Sequence, residues 1–184
     1  MKNQLSVDDA LAQVAQPVLR YLERYVGNRA VAEDLQQETL MRVARGLAGF
    51  DGRSAIKTWA FSIANRVAAD YFRHPERRVR IVELDEAMNL AGPDDDIDHR
   101  LIEGEMNQCV REVIDTLPGS YRAALILHDL EGLSAEQTAL VCECSVANAK
   151  IRIHRARARL RDALKKQCSF YHDDDGVYRC DRAE

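Results

Sequence analysis

The densest concentration of cationic side chains lies in the stretch from Val146 to Lys166, which contains a single acid, Asp162. Clustered guanidinium groups bind phosphate oxygens through paired hydrogen bonds, and the first turn of a basic helix can present side chains to base edges in a major groove. The predicted chemistry is therefore phosphate binding with base contacts from the first turn. The cations are Lys150, Arg152, Arg155, Arg157, Arg159, Arg161, Lys165 and Lys166.

Two helices joined by a tight turn are expected to position these cations. Ser134 with Gln137 three residues later matches a capping box, so a first helix should begin at Ser134. Residues 142–144, Cys-Glu-Cys, interrupt the apolar rhythm, and Ser145 can cap a second helix. The pattern predicts a helix-turn-helix. The alternative is that the basic face of the second helix is merely solvated.

Composition and charge narrow the class of protein. Charged residues make up 30% of the 184 residues and aromatic residues 6%, which favours helices over sheets. The net charge is −4, so a second molecule should supply much of the affinity for DNA. No apolar run has the length of a membrane span, and the first residues lack the apolar core of a signal peptide. We therefore expect a cytoplasmic protein without membrane insertion. Its five cysteines are an odd number in a reducing compartment, so a disulfide framework is not expected.

The first third of the chain predicts further helices. Residues 7–26 suggest two helical pieces, the first capped by Ser6 and the second begun by Pro17 and ended by Gly27. Asn28 should cap the next helix and Ser54 the one after it.

The middle of the chain changes character. Residues 74–96 pass from arginines to acids around Gly92-Pro93, which indicates a linker. A magnesium site at Asp94, Asp95 and Asp96 is disfavoured, because adjacent acids on a flexible turn seldom converge on one ion. An amphipathic helix should follow from Ile97 to Leu117, and Pro118 should open another that closes at Gly132.

These segments together resemble a known family. The order AEDLQQETLMRVAR, FDGRSAIKTWAFSIANRVAADYFR, LPGSYRAALILHDLEGLSAEQTA and SVANAKIRIHRARARL is similar to that of the extracytoplasmic-function sigma factors, which are specificity subunits of bacterial RNA polymerase. The resemblance covers roughly residues 7–165. It implies an all-α fold of two small helical bundles joined by a flexible acidic linker, the second bundle containing the helix-turn-helix.

The resemblance also assigns roles to residues. The helix that binds core polymerase would use Asp34, Leu35, Gln37 and Glu38. The minus-10 promoter element would be bound and opened by Arg53, Ser54, Lys57, Asn65 and Arg66, where many members have Arg-Asn in place of Asn65-Arg66. The minus-35 element would be contacted by Asn148, Lys150, Ile151, Arg152, His154 and Arg155. Arg122 matches the arginine of the family's Leu-Pro-x-x-x-Arg signature, and Glu143 stands where many members have glycine.

The C-terminal tail is outside the family pattern. Residues 168–180 suggest a short hairpin about an Asp-Gly turn. Cys168, His172 and Cys180 could supply three zinc ligands, although the spacing is not a standard zinc motif, and a hairpin that only packs on the second bundle is the alternative. No cofactor is otherwise required.

The predicted organisation is a region 2 domain over residues 1–75, a linker over 76–96, a region 4 domain over 97–166 and a tail over 167–184. The predicted function is a sigma factor that binds core RNA polymerase and promoter DNA and is held by an anti-sigma factor. A self-standing helix-turn-helix regulator is the alternative, whereas an enzyme is disfavoured because no nucleophile-base arrangement or phosphate-binding glycine loop is visible.

Overall fold

The computed structural model describes residues 6–73, 110–172 and 178–182, with the backbone alone for 167–170, 172 and 178–182. The helices are α1 (Val7–Val26), α2 (Arg29–Gly46), α3 (Ile56–Arg73), α4 (110–116), α5 (Gly119–Leu125), α6 (Ala135–Val141) and α7 (Val146–Gln167). A 3₁₀ turn, Leu47–Gly49, follows α2, and a π-helical turn, Ile126–Leu130, extends α5. The strands β1 (Cys168–His172) and β2 (Tyr178–Arg182) form an antiparallel hairpin. No described helix is long and apolar enough to cross a membrane.

Helix α1 is a single helix, so the prediction of two pieces divided at Pro17 is wrong. The residues before and after Pro17 share one buried face, to which Val14 and Val18 belong. Burial of that continuous face outweighs the loss of the proline N–H. The amide Nε2 of Gln36 also donates to the carbonyl of Ala15, at 2.8 Å, beside the proline turn.

Most predicted helix ends are confirmed. The side chain of Ser6 accepts from Asp9 N–H at 3.1 Å, and Asn28 Oδ1 accepts from Val31 N–H at 2.9 Å. Gly27 ends α1 with φ 73°, a left-handed conformation that glycine adopts readily.

Ser54 does not cap α3 as predicted. The helix begins at Ile56, and the carbonyl of Ala55 accepts from Trp59 N–H at 3.1 Å. Ser54 therefore lies one residue before the capping position, Ala55. Helix ends are commonly uncertain by one or two residues, so the difference is small.

The helix-turn-helix is confirmed as α6 and α7. Ser134 and Gln137 form both hydrogen bonds of a capping box, and Ser145 Oγ accepts from Asn148 N–H at 3.2 Å. Between the helices, Glu143 has φ 51° and is the one non-glycine residue with positive φ in the described part of the chain. A positive φ is unfavourable for a residue with a Cβ, so the backbone is strained at Glu143, where many members of the family have glycine.

One buried cluster joins the two helix groups, α1–α3 and α4–α7. In the first group, the fully buried Tyr21 and Phe61 make an edge-to-face contact with ring centroids 5.5 Å apart. In the second group, Ile126, Leu127 and Val141 are fully buried in the same cluster. The all-α fold is confirmed, and the two groups pack directly on each other. The predicted linker over 76–96 lies outside the described residues.

Arg122 ties the two groups together at their helix ends. Its Nη1 donates to the carbonyl of Tyr25 at 2.9 Å, and its Nη2 donates to the carbonyls of Asp115 and of Leu117, the latter at 3.3 Å. Carbonyls in the last turn of a helix lack partners within the helix, so one guanidinium group stabilises the ends of both α1 and α4. This arrangement gives the family's signature arginine a structural role.

The capping box of α6 provides a test of the fold. We expect Ser134→Ala to lower the free energy of unfolding by about 1 kcal/mol, because the backbone N–H of Gln137 loses its acceptor, the Ser134 hydroxyl. Urea denaturation followed by circular dichroism measures this change. Ser120→Ala, at an exposed position in α5, is the control and should shift the midpoint little. Equal midpoints for the two variants would contradict a stabilising cap.

Candidate nucleic-acid interface

The outer face of α7 carries the residues assigned to minus-35 contacts. Ala149, Ile153 and Ala156 lie on the buried side, each no more than 5% exposed. The remaining positions of the first three turns face outward, as the helical period requires. Asn148, Lys150, Ile151, His154 and Arg155 are exposed and Arg152 is half-buried. All six are thus accessible along one side of the helix.

Two arginines of this face are already oriented by neighbours. Arg152 Nε donates to Asn148 Oδ1 at 3.1 Å, and Arg155 Nη1 donates to the hydroxyl of Tyr121 at 3.4 Å. The hydrogen bond from Arg155 lowers the pKa of Tyr121. Arg159 lies over the ring of the same tyrosine, 5.0 Å from its centroid. Tyr121 therefore holds two cations of α7 on the side of the helix next to α5.

Arg157 is paired with Asp129, which lies in the π-helical turn that extends α5. Its guanidinium group makes two hydrogen bonds to the carboxylate of Asp129, one of them at 2.9 Å, and these bonds raise the pKa of Arg157. Arg157 thus forms an ion pair within its own helix group.

The residues assigned to the minus-10 element are divided between a loop and α3. In the loop, Arg53 is exposed and its side chain is paired with Asp51. Hydrogen bonds from the Arg53 backbone and side chain lower the pKa of Asp51. Ser54 and Lys57 are half-buried, and Lys57 Nζ lies 5.4 Å from the centre of the Phe61 ring.

Asn65 differs from the sequence expectation, whereas Arg66 is exposed as expected. The pattern predicts that both face outward, but Asn65 is half-buried between the two helix groups. Its Oδ1 accepts from the hydroxyl of Tyr21 at 2.8 Å, and its Nδ2 donates to the carbonyl of Val141 at 3.2 Å. Arg66 is exposed but is paired with the carboxylate of Glu143. The expectation is wrong for Asn65 because α6 packs against that side of α3.

The residues assigned to core polymerase lie on α2. Asp34 and Gln37 are exposed, and Glu38 pairs with Arg42 at 2.6 Å one turn away. Leu35 is 8% exposed and belongs to the buried cluster. The assigned residues of α2 therefore present polar side chains above Leu35, and the exposed Met41 follows one turn further along the same face.

Sequence reasoning did not predict that Glu131 lies in the contact between the two helix groups. Its side chain is 2% exposed and accepts a hydrogen bond from Arg24 Nη1 at 2.7 Å, while its backbone carbonyl accepts from Lys57 Nζ at 3.5 Å. An acid before a helix-ending glycine looks like an ordinary surface residue in the sequence. Only the packing of α1 and α3 on the π-helical turn buries it.

The zinc ligands predicted in the tail remain a prediction. The hairpin register pairs Cys168 with Arg182, Phe170 with Cys180 and His172 with Tyr178. The side chains of Cys168, His172 and Cys180 lie outside the described part of the chain. Among the described side chains, no group of three or more residues could hold a metal ion.

Comparison with known proteins identifies both helix groups. Residues 11–78 match the family model of Sigma-70 region 2, and residues 107–160 match that of Sigma-70, region 4. The ECF RNA polymerase sigma factor EcfG of Rhodopseudomonas palustris is 34% identical over 158 residues, which cover 85% of this chain and 83% of the relative. The RNA polymerase sigma factor YlaC of Bacillus subtilis is 28% identical over 90% of this chain and 96% of its own.

Solved structures show the same architecture. The sigma factor RpoE of Bartonella quintana, crystallised with the anti-sigma factor NepR, has a TM-score of 0.63 and 26% identity over 86% of this chain and 96% of its own. CnrH, solved with the cytosolic domain of CnrY, has a TM-score of 0.62 and 24% identity over 89% of this chain and 90% of its own, and supports the fold. With region 2 and region 4 both present and the basic face of α7 exposed, the chain belongs to the extracytoplasmic-function sigma factors, which bind core RNA polymerase and direct it to promoters.

Proposed function

We propose that this sigma factor uses three separate surfaces of the described residues to bind core polymerase, the minus-10 element and the minus-35 element. On this proposal α2 binds core polymerase through Asp34, Gln37 and Glu38, with Leu35 beneath them. The minus-10 element is bound and opened by Arg53, Ser54, Lys57, Asn65 and Arg66. The minus-35 element is read by α7 through Asn148, Lys150, Ile151, Arg152, His154 and Arg155.

The observation that carries the proposal is the exposed face of α7. A recognition helix must present base-reading donors in its first turns and cations to phosphates on either side. Lys150 and Arg155 are exposed long donors in the first three turns, and the helix is seated on α5 and α6 through Ala149, Ile153 and Ala156. The fold therefore holds the basic helix so that its outer side is free to enter a groove.

The proposed domains follow the two helix groups. Residues 1–75 form region 2, 76–96 the linker, 97–166 region 4, and 167–184 the tail. Each DNA element alone would be bound weakly by an acidic chain, and attachment of both domains to one large polymerase raises the effective concentration of the second contact. Such a factor works in the cytoplasm, makes only non-covalent contacts and needs no cofactor.

An anti-sigma factor is also part of the proposal. The RpoE of Bartonella quintana was crystallised with one, and CnrH was solved with the cytosolic domain of CnrY. We expect a protein of this class to bind the present chain and prevent its assembly with core polymerase.

Run-off transcription on genomic DNA tests the proposal as a whole. Purified core polymerase is assayed with and without the full chain, and the transcript starts are mapped. We expect new starts that share two upstream motifs at a fixed spacing. An unchanged set of starts, with the protein shown to be folded and bound to core polymerase, would refute promoter recognition by these surfaces.

Lys150 provides a test of the minus-35 surface. Lys150→Ala should weaken initiation at promoters with a minus-35 element and reduce the slope of log affinity against log salt concentration by about one unit, since one phosphate or base contact is lost. Lys166→Ala, at the far end of the same helix, is the matched control. If both variants retain the wild-type slope and initiation, Lys150 is not a contact.

Asp34 provides a test of the polymerase surface. Asp34→Lys should lower the affinity for core polymerase at least about tenfold, because reversing a charge in a complementary interface places like charges together. Competition binding with a fluorescent wild-type chain measures the change. Asp162→Lys reverses an exposed acid on α7 and should leave core affinity close to wild type. Equal affinities for the two variants would exclude Asp34 from the interface.

A further inference from the structure

Ile151 is a large apolar side chain at the centre of the outer face of α7. It is 49% exposed, although the buried Ala149 lies two residues before it and the buried Ile153 two residues after it. Two positions of an α-helix turn a side chain about 200° around the helix axis. Ile151 therefore lies opposite the buried side of α7 and points away from α5 and α6.

The neighbours of Ile151 on the helix surface leave it uncovered. The positions three or four residues away, which adjoin it on the surface, are Ala147, Asn148, His154 and Arg155. Ala147 is exposed and too short to cover an isoleucine. Asn148 is bonded to Arg152, and Arg155 reaches the hydroxyl of Tyr121 on α5. The apolar side chain thus projects between polar neighbours that are oriented by other contacts.

An isoleucine at this position restricts what α7 can face in a groove. The side chain has no donor or acceptor, so it removes water from the polar edge of a base without replacing the lost hydrogen bonds, which costs free energy. Contact with an apolar group has no such cost. The major groove of B-DNA offers one apolar group, the C5-methyl of thymine, whereas cytosine presents an amino group and the purines present N7.

We propose that Ile151 contacts the C5-methyl group of a thymine in the minus-35 element and thereby selects a T·A pair at that position. The inference rests on the proposed role of α7 in reading this element and adds the base that its apolar residue selects. Cations that contact phosphates position the helix without regard to sequence, whereas the contact of Ile151 depends on one methyl group. Ile151 is therefore a specificity-determining residue.

Replacement of thymine by uracil isolates the contact. Deoxyuridine pairs with adenine and keeps the O4 acceptor, so the two bases differ in the major groove only by the methyl group. A loss of affinity on this replacement measures what the protein gains from the methyl. If Ile151 is the residue that contacts it, the loss must depend on the side chain at position 151.

The experiment uses the full chain assembled with core polymerase and a duplex promoter taken from a start that the run-off assay has mapped. Each thymine of the minus-35 element, on either strand, is replaced in turn by deoxyuridine. Affinity is measured by competition against a fluorescent copy of the unmodified promoter at one fixed salt concentration, because phosphate contacts make the affinity depend on salt. The readout is the ratio of the affinities for the thymine and uracil promoters.

Four variants of α7 are compared with the wild type. Ile151→Ala removes most of the apolar contact, and Ile151→Val keeps a branched side chain. Val146→Ala is the matched control, because Val146 is also exposed and apolar but lies three residues before the buried Ala149, nearer the packed side. Lys150→Ala controls for a general loss of DNA affinity. Equal thermal unfolding of all five proteins by circular dichroism shows that the variants are folded.

We expect one uracil position to lower the affinity of the wild type about fourfold, the effect of returning one methyl group to water. Ile151→Ala should bind the thymine promoter more weakly and bring the ratio close to one, and Ile151→Val should give an intermediate ratio. Lys150→Ala should lower both affinities by the same factor, and Val146→Ala should leave the ratio at the wild-type value.

Three outcomes would overturn the proposal. The first is a minus-35 element that has no thymine, or in which no uracil lowers the affinity of the wild type. The second is a uracil effect of the same size in the wild type and in Ile151→Ala, which would assign the methyl contact to another residue. The third is an equal loss of affinity for both promoters in Ile151→Ala, which would place Ile151 against another surface.

Failure of the inference is distinguishable from failure of the proposed function. Every measurement uses a promoter that the wild-type chain has already been shown to recognise with core polymerase. A ratio that does not depend on position 151 therefore removes the methyl contact and leaves promoter recognition in place, whereas the absence of new starts in the run-off assay removes both.

Discussion

The ends of α1 and α4 depend on one guanidinium group. Arg122 donates to carbonyls of Tyr25, Asp115 and Leu117, which are in the last turns of those helices or just beyond them. Because these carbonyls have no partner within their own helices, their bonds to a cation fix where α1 ends relative to the start of α5. Tyr25 in turn stacks on Tyr21 with ring centroids 5.7 Å apart, and Tyr21 holds Asn65. The position of Asn65, a residue proposed to read DNA, thus depends on a contact between helix ends.

The interface between the two groups combines burial with reversible polar contacts. Tyr21, Phe61, Ile126 and Val141 provide an apolar base, and removal of their surface from water favours the closed arrangement. The hydrogen bonds and ion pairs around this base involve groups that water can solvate after separation. Such an interface resembles those between the domains of one chain more than a permanent core, and relative movement of its two sides is the ordinary expectation.

Glu143 combines an unfavourable backbone conformation with an ion pair to the other helix group. A left-handed conformation costs a non-glycine residue roughly 1–2 kcal/mol, and an exposed ion pair such as the one with Arg66 returns about 1 kcal/mol or less. The residue is thus unfavourable or neutral for region 4 by itself. Its carboxylate can pair with Arg66 only when α3 is adjacent, which is consistent with a role in the contact between the groups.

Much of the local structure was determined by the sequence alone. The capping residues Ser6, Asn28, Ser134 and Ser145, the helix-turn-helix and the exposed basic face of α7 follow from hydrogen-bonding side chains and a period of 3.6 residues, both of which act over a few positions. Local patterns do not report which surfaces of separate helices meet. The continuity of α1 through Pro17, the burial of Glu131 and the occupied amide of Asn65 were therefore decided by the tertiary structure, since each depends on a partner dozens of residues away. That structure alone brings Val141 and Glu143 against α3, beside residues proposed to bind the minus-10 element.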